Sequence, residues 1–188
     1  VVFTAVLALF AGMAGAQMAG ETREAKSVFS FLEKLHTARA HRETEQVPLD
    51  GEWNEGRFRF TGLASAYDIL VSNTAAVDGK TRPAIWFQPV SGYDSTLTFS
   101  RVPAGRRLVV SFALPDASLQ GEIVTPVLFE VWIGNKKLLE TTLTSKGWSE
   151  KRIDLTVPYF LQRRYNIQFR VRAAGEQPSG FLFHGRVE

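Results

Sequence analysis

Three histidines, at 36, 41 and 184, and no cysteine make up the stock of side chains that ordinarily titrate near neutral pH or attack as thiolates. The absence of cysteine removes disulfides, sulfur nucleophiles and sulfur-ligated metals. His36 and His41 are five residues apart, which does not put them on one helical face for a shared metal. His184 stands alone between Phe183 and Gly185. No Gly-x-Ser-x-Gly elbow, Gly-x-x-x-x-Gly-Lys-Ser/Thr loop or His-Glu-x-x-His pair occurs. Splitting a glycosidic bond takes two carboxyls about 5 Å or about 6.5–9.5 Å apart across a cleft. Glu52 and Glu55 flank Trp53, but they lie three apart in a turn-rich stretch and read as solvated loop acids. Asp68, Asp78, Asp94 and Asp116 fall in or near loops without the Asp-x-Asp-x-Asp spacing of a calcium loop. The sequence therefore nominates no catalytic residue, no metal ligand and no cofactor, and the chain reads as a non-enzyme.

The aromatic residues carry the remaining chemistry. Trp86 opposes Ile85 and Phe87 in an alternating run. Trp132, with Leu128, opposes Val127, Phe129, Val131 and Ile133. An outward tryptophan can stack on a sugar ring, sit in a lipid headgroup layer or anchor a protein interface. Arg170 and Arg172 alternate outward with Asn166 and Gln168, after Arg163 and Arg164, and form a basic strip. That strip is either a solvated face or a surface for an acidic partner or anionic headgroups. Twenty-two Lys+Arg against 19 Asp+Glu leave a net charge of +3, too small to point to nucleic acid.

The elements behind these residues follow a period of two from Trp53 onward. Phe58 and Phe60, Leu97 and Phe99, and Leu108 to Leu114 each alternate, and so do Ile153, Leu155 and Val157. The clearest run sets Tyr165, Ile167, Phe169 and Val171 against Asn166, Gln168, Arg170 and Arg172. Prolines fall at strand edges or in loops, and Gly134-Asn135 marks a tight hairpin. About nine strands over roughly 135 residues suit two packed antiparallel sheets.

The N-terminal part reads differently. Val1 to Gly20 holds no charged residue, and as a helix it would span roughly 30 Å, one hydrocarbon core. Two readings fit: a secretory signal cleaved after Ala16, and an uncleaved signal-anchor helix whose Gly12 and Gly15 let a neighbouring helix approach. The anchor is the expectation carried forward. Residues 21–46 show a helical period, with Ala25, Val28, Leu32 and Leu35 on one stripe, and predict an amphipathic stalk helix. That stripe needs a cover, either its own downstream domain, the membrane surface or another subunit.

The run Val127-Leu-Phe-Glu-Val-Trp-Ile-Gly-Asn-Lys-Lys-Leu-Leu139, followed by Gly147-Trp148 and Lys151-Arg-Ile-Asp-Leu155, resembles the galactose-binding-domain-like jelly rolls. In that superfamily an alternating strand leads through a Gly hairpin to a Trp and then to a second alternating strand. Gly79 to Pro89 and Leu108 to Leu114 sit where such domains place earlier strands. The resemblance covers about Glu52 to Val187 and implies the fold. No ligand motif of the superfamily matches residue by residue.

The combined expectation is a mainly β chain: an antiparallel jelly-roll-like β-sandwich over 47–188, preceded by a transmembrane helix over 1–20 and a stalk helix over 21–46. The expected role is a non-catalytic accessory subunit of a membrane complex, single-pass, with its sandwich on the periplasmic side. Its partners would be other membrane-protein subunits and the lipid bilayer, with no nucleic acid. The expected contact residues are Gly12, Gly15, Val28, Leu32, Leu35, Trp86, Trp132, Arg170 and Arg172. The alternative is an anchored or exported carbohydrate-binding module.

Overall fold

The computed structural model describes residues 27–43, 48–119, 125–155, 163–173, 175 and 180–188. Its strands are β1 (Phe29–Ser30), β2 (Arg39–Glu43), β3 (Pro48–Leu49), β4 (Gly51–Asn54), β5 (Arg57–Phe60), β6 (Ile69–Ser72), β7 (Ala76–Val77), β8 (Lys80–Thr81), β9 (Ala84–Phe87), β10 (Asp94–Pro103), β11 (Arg107–Ala113), β12 (Val127–Ile133), β13 (Lys136–Leu143), β14 (Ser149–Asp154), β15 (Arg164–Ala173) and β16 (Phe181–Val187).

The last eight strands form nested antiparallel pairs: β9 with β16, β10 with β15, β11 with β14, and β12 with β13. One long four-rung hairpin has thus been rolled on itself. Rolling sends alternate rungs to opposite sheets, so one sheet runs β14-β11-β16-β9 and the other β13-β12-β15-β10. That is the jelly-roll order, two antiparallel sheets face to face. The first sheet is extended by β6-β5-β4 and the second by β2-β3. The small β7–β8 hairpin stands apart as a two-stranded unit.

Alternation places the core where the sequence puts it. Phe99, Phe129, Phe169, Phe181 and Phe183 are fully buried between the sheets and make a continuous aromatic cluster, with Phe169 and Phe183 ring centres 4.9 Å apart. Burying a phenylalanine fully contributes roughly 1.5–3 kcal/mol, so this cluster is a large share of what offsets the chain entropy.

The expectation for the N-terminal stretch is corrected over residues 27–43. These residues form β1, a turn, a 3-10 turn at Leu35–Thr37 and β2, and no stalk helix. β1 continues the pairing of β16 beyond β9, with Phe29 opposite Val187. β2 pairs with β10. The spacing of three and four residues is also that of a single tight turn, which explains the helical period. The C-terminal half of the stripe is covered by its own domain, together with its neighbour Phe31, which is fully buried with its ring centre 4.9 Å from both Phe99 and Phe169. Leu35 is buried and Leu32 packs half-buried against the same core, whereas Val28 is 52% exposed. Gly185 makes room for Phe31, because a Cβ there would lie 3.1 Å from that ring. β2 and β3, which flank the boundary expected at 47, pair with each other in one sheet. Gly12, Gly15 and the proposed membrane span lie outside the described residues. Among the described residues, no helix is long and apolar enough to cross a membrane.

Candidate functional site

The outer face of the β9-containing sheet carries a cleft of about 750 Å³, within the range of roughly 300–1,000 Å³ typical of small-molecule sites. Its floor follows from strand alternation. Ile85 and Phe87 of β9 face the core, so Trp86 faces out, half-buried, with Leu70 of β6 and Leu182 of β16 directly opposite it. The cleft is walled on one side by the 3-10 turn Ser65–Tyr67 and on the other by the chain from Thr74 to Ala76 that enters β7. Gln88 and Asp116 complete the rim.

Several contacts hold these walls. The Ser72 hydroxyl accepts the Ala75 N–H at 3.2 Å, which turns the chain out of β6. The tip of the β7–β8 hairpin has Asp78 and Gly79 at φ of 53° and 69°. Both of their N–H groups donate to the Asp116 carboxylate, each at 2.9 Å. Those backbone donors, helped by the charge of Lys146, hold Asp116 below the usual carboxylate range. The other end of the hairpin is pinned by Arg82, whose guanidinium lies 3.4 Å from the ring centre of Trp148. Beneath the hairpin Val77, Ala84, Ala113 and Leu182 form a small buried cluster, against which Trp86 and Trp148 pack. Gly180 is needed where it stands, because a Cβ there would lie 2.4 Å from the distal ring of Trp86. Behind the cleft, fully buried Arg42 donates from Nη2 to the Gln88 carbonyl at 2.6 Å, and its guanidinium lies 4.1 Å from the Phe60 ring centre. Burial pushes Arg42 down to about 10, against the opposing pull of Tyr67 and Asp68.

The outer face of the other sheet is a different surface. Trp132 is half-buried under the Arg170 guanidinium, 4.4 Å from its ring centre, and its indole N–H donates to Glu130 at 2.9 Å. Lys137 bridges Glu130 and Glu140. Arg172 forms an ion pair with Asp94 from the neighbouring β10. Trp132, Arg170 and Arg172 thus lie on one face, but the ring that could stack on a ligand is covered by a cation and the charges answer one another. The hollow beside them is only about 30 Å³.

The remaining candidates are scattered. His41 lies in β2, 3.1 Å from Glu43. His184 faces outward from β16 beside Trp148, ring centres 5.7 Å apart. Burial, with Arg82 and Arg186 beside it, pushes His184 down to about 4. Asp68 is buried near Arg57 and Arg59, each 3.8 Å away. Trp53 donates its indole N–H to the Ala38 carbonyl at 2.7 Å, so the residue that Glu52 and Glu55 flank is an anchor for the N-terminal segment. No group of three acidic or histidine side chains that could hold a metal occurs among the described residues. Sequence reasoning reached Trp86 by alternation but missed Tyr67, Leu70 and Gly180, which meet Trp86 only through cross-strand pairing and loop packing.

No family model matches the chain, and no curated protein matches it in sequence. Solved structures of similar fold include TmCBM61 in complex with β-1,4-galactotriose, at 12% identity and a TM-score of 0.41, covering 87% of this chain and 100% of that one. A second is CBM51 from Clostridium perfringens GH95 in complex with methyl-galactose, at 11% identity and a TM-score of 0.41, covering 63% of this chain and 81% of that one. A third is the xylan-binding module CBM15, at 12% identity and a TM-score of 0.38, covering 79% and 90%. The expectation of an accessory subunit in a membrane complex is corrected at this point. Of the apolar stripe that was to meet other subunits, Leu35 is buried inside the sandwich and Leu32 packs half-buried against the same core.

Proposed function

We propose that the chain is a non-catalytic carbohydrate-binding module that takes a neutral glycan in the Trp86 cleft. The observation that carries this reading is the composition of the cleft. An indole and Leu70 form an apolar floor, and the neutral polar groups of Ser65, Tyr67, Thr74 and Gln88 rise around it. A sugar ring presents the matching chemistry, a C–H face to lie on an aromatic surface and a girdle of hydroxyls to exchange hydrogen bonds. Among the described residues lining the cleft none is cationic, and the single acid, Asp116, already accepts two backbone N–H groups. This lining favours uncharged sugars over uronic acids. No pair of carboxyls faces across it, so binding without bond cleavage is the activity it supports.

The test is calorimetric titration of the full chain with neutral β-linked galacto-, xylo- and gluco-oligosaccharides. Trp86→Ala is expected to weaken binding at least about tenfold, the range for a lost aromatic stacking contact, whereas Trp132→Ala leaves it unchanged. Equal loss in both variants, or no binding to any neutral glycan, refutes the assignment.

A further inference from the structure

A second cleft, of about 780 Å³, opens at the end of the other sheet and shares no lining residue with the first. Arg101, Lys136 and Arg164 line it together with Asn135 and Asn166, and none of its described lining residues is acidic. Among the described residues, Arg101 and Arg164 take part in no ion pair, in contrast to Arg172 on the open face of the same sheet, which pairs with Asp94.

The backbone is bent to build this arrangement. Phe99 pairs with Ile167 and Val102 with Tyr165, so Ser100 and Arg101 together oppose the single residue Asn166, a β-bulge. Arg101 sits at φ 60°, a left-handed conformation that side chains other than glycine rarely adopt. Asn166 is the keystone. Its side-chain Oδ1 accepts the Arg101 N–H at 3.2 Å, and its carbonyl accepts the Gly134 N–H at 3.2 Å. One residue thus ties the bulge of β10 to the turn of the β12–β13 hairpin, and it draws Lys136 to the same mouth as Arg101 and Arg164. A glycine would hold this bend without strain. An arginine held there instead has its side chain re-aimed by the bulge, as bulges next to binding sites do.

We infer that this cleft is a binding site for an oxyanion, a sulfate or phosphate ester, clasped by Arg101, Arg164 and Lys136. Forked guanidinium donors match a tetrahedral oxyanion in geometry as well as charge. The inference is independent of the Trp86 cleft and stands or falls without it.

The experiment records amide NMR spectra of the full chain while inorganic sulfate, inorganic phosphate or a heparin-derived oligosaccharide is added. In parallel, flotation is measured with phosphatidylcholine vesicles with and without phosphatidylserine. Shifts confined to residues 101, 134–136 and 164–166, weakening as salt rises, are the expected result. The double variant Arg101→Ala/Arg164→Ala is expected to lose affinity at least about tenfold, the equivalent of one charge-assisted hydrogen bond. Arg101→Gly is the more telling variant. It relieves the left-handed strain, so Tm rises while oxyanion binding falls, a combination that a purely structural Arg101 does not produce. Binding only to the oligosaccharide places the oxyanion on a glycan, and binding only to anionic vesicles places it on a lipid headgroup. Both outcomes support the site if the double variant abolishes them. No shift with any probe, or binding unchanged in the double variant, overturns the inference.

Discussion

His184 shows how a single residue changes meaning once its neighbours are known. In sequence it is a lone outward histidine. In the fold it lies against Trp148 with Arg82 and Arg186 nearby, and its folded pKa is pushed down to about 4, below the ordinary histidine value near 6.5. The folded state therefore binds fewer protons than the unfolded one between those two values. Stability is full above about pH 6.5 and falls as pH drops toward 4 through this group. In urea unfolding measured from pH 7 to pH 4, His184→Asn is expected to flatten part of that acid-side loss. An unaltered slope means His184 does not stay neutral in the fold. Trp86 and Trp132 make a matching contrast, since both alternate outward in the sequence. Only packing decides that one floors a cleft and the other lies beneath Arg170.

At the scale of elements, the segment 27–43 folds as two short strands joined by tight turns. β1 and β2 add strands to opposite sheets, and Phe31 fills the space between them. Phe31→Ala is expected to cost about 3–5 kcal/mol, as much as Phe169→Ala, because both leave an aromatic-sized hole in a packed core. Arg170→Ala removes a cation resting on a half-exposed ring and is expected to cost about 1 kcal/mol or less. Chemical denaturation of the three variants checks the ranking. A Phe31→Ala loss below about 1 kcal/mol means that the segment docks on a sandwich complete without it. The edge strand β14, Ser149–Asp154, offers a different lesson. Its exposed Glu150, Lys151 and Arg152 blunt an edge that would otherwise recruit another strand.

At the scale of the whole molecule, the rolled hairpin separates the two clefts. One lies on the outer face of the β9 sheet, beside the chain that enters the β7–β8 hairpin. The other lies at the end of the β12–β15 sheet. Sites with no shared residue and a rigid core between them are expected to bind independently, within about twofold. Titrating the heparin-derived oligosaccharide with and without a saturating neutral glycan measures this. Mutual exclusion shows that one ligand spans both clefts or that both compete for one. Much of this architecture was legible in the residues themselves. A period of two from Phe58 to Phe183 determines which side chains face the core, because a strand has only two sides and apolar groups leave water. That rule placed Phe99, Phe129, Phe169, Trp86 and Trp132 on their proper faces, and the Gly134-Asn135 turn between its two strands. Local pattern could not tell a tight turn from a helix at Leu32 and Leu35, since both put residues three and four apart on one side, and burial of Phe31 settled it. Nor could it join Tyr67, Trp86, Asp116 and Gly180, or Arg101, Lys136 and Arg164, which lie far apart along the chain. Those sets meet only when the nested pairs close, because cross-strand register and loop packing are long-range properties of the folded chain.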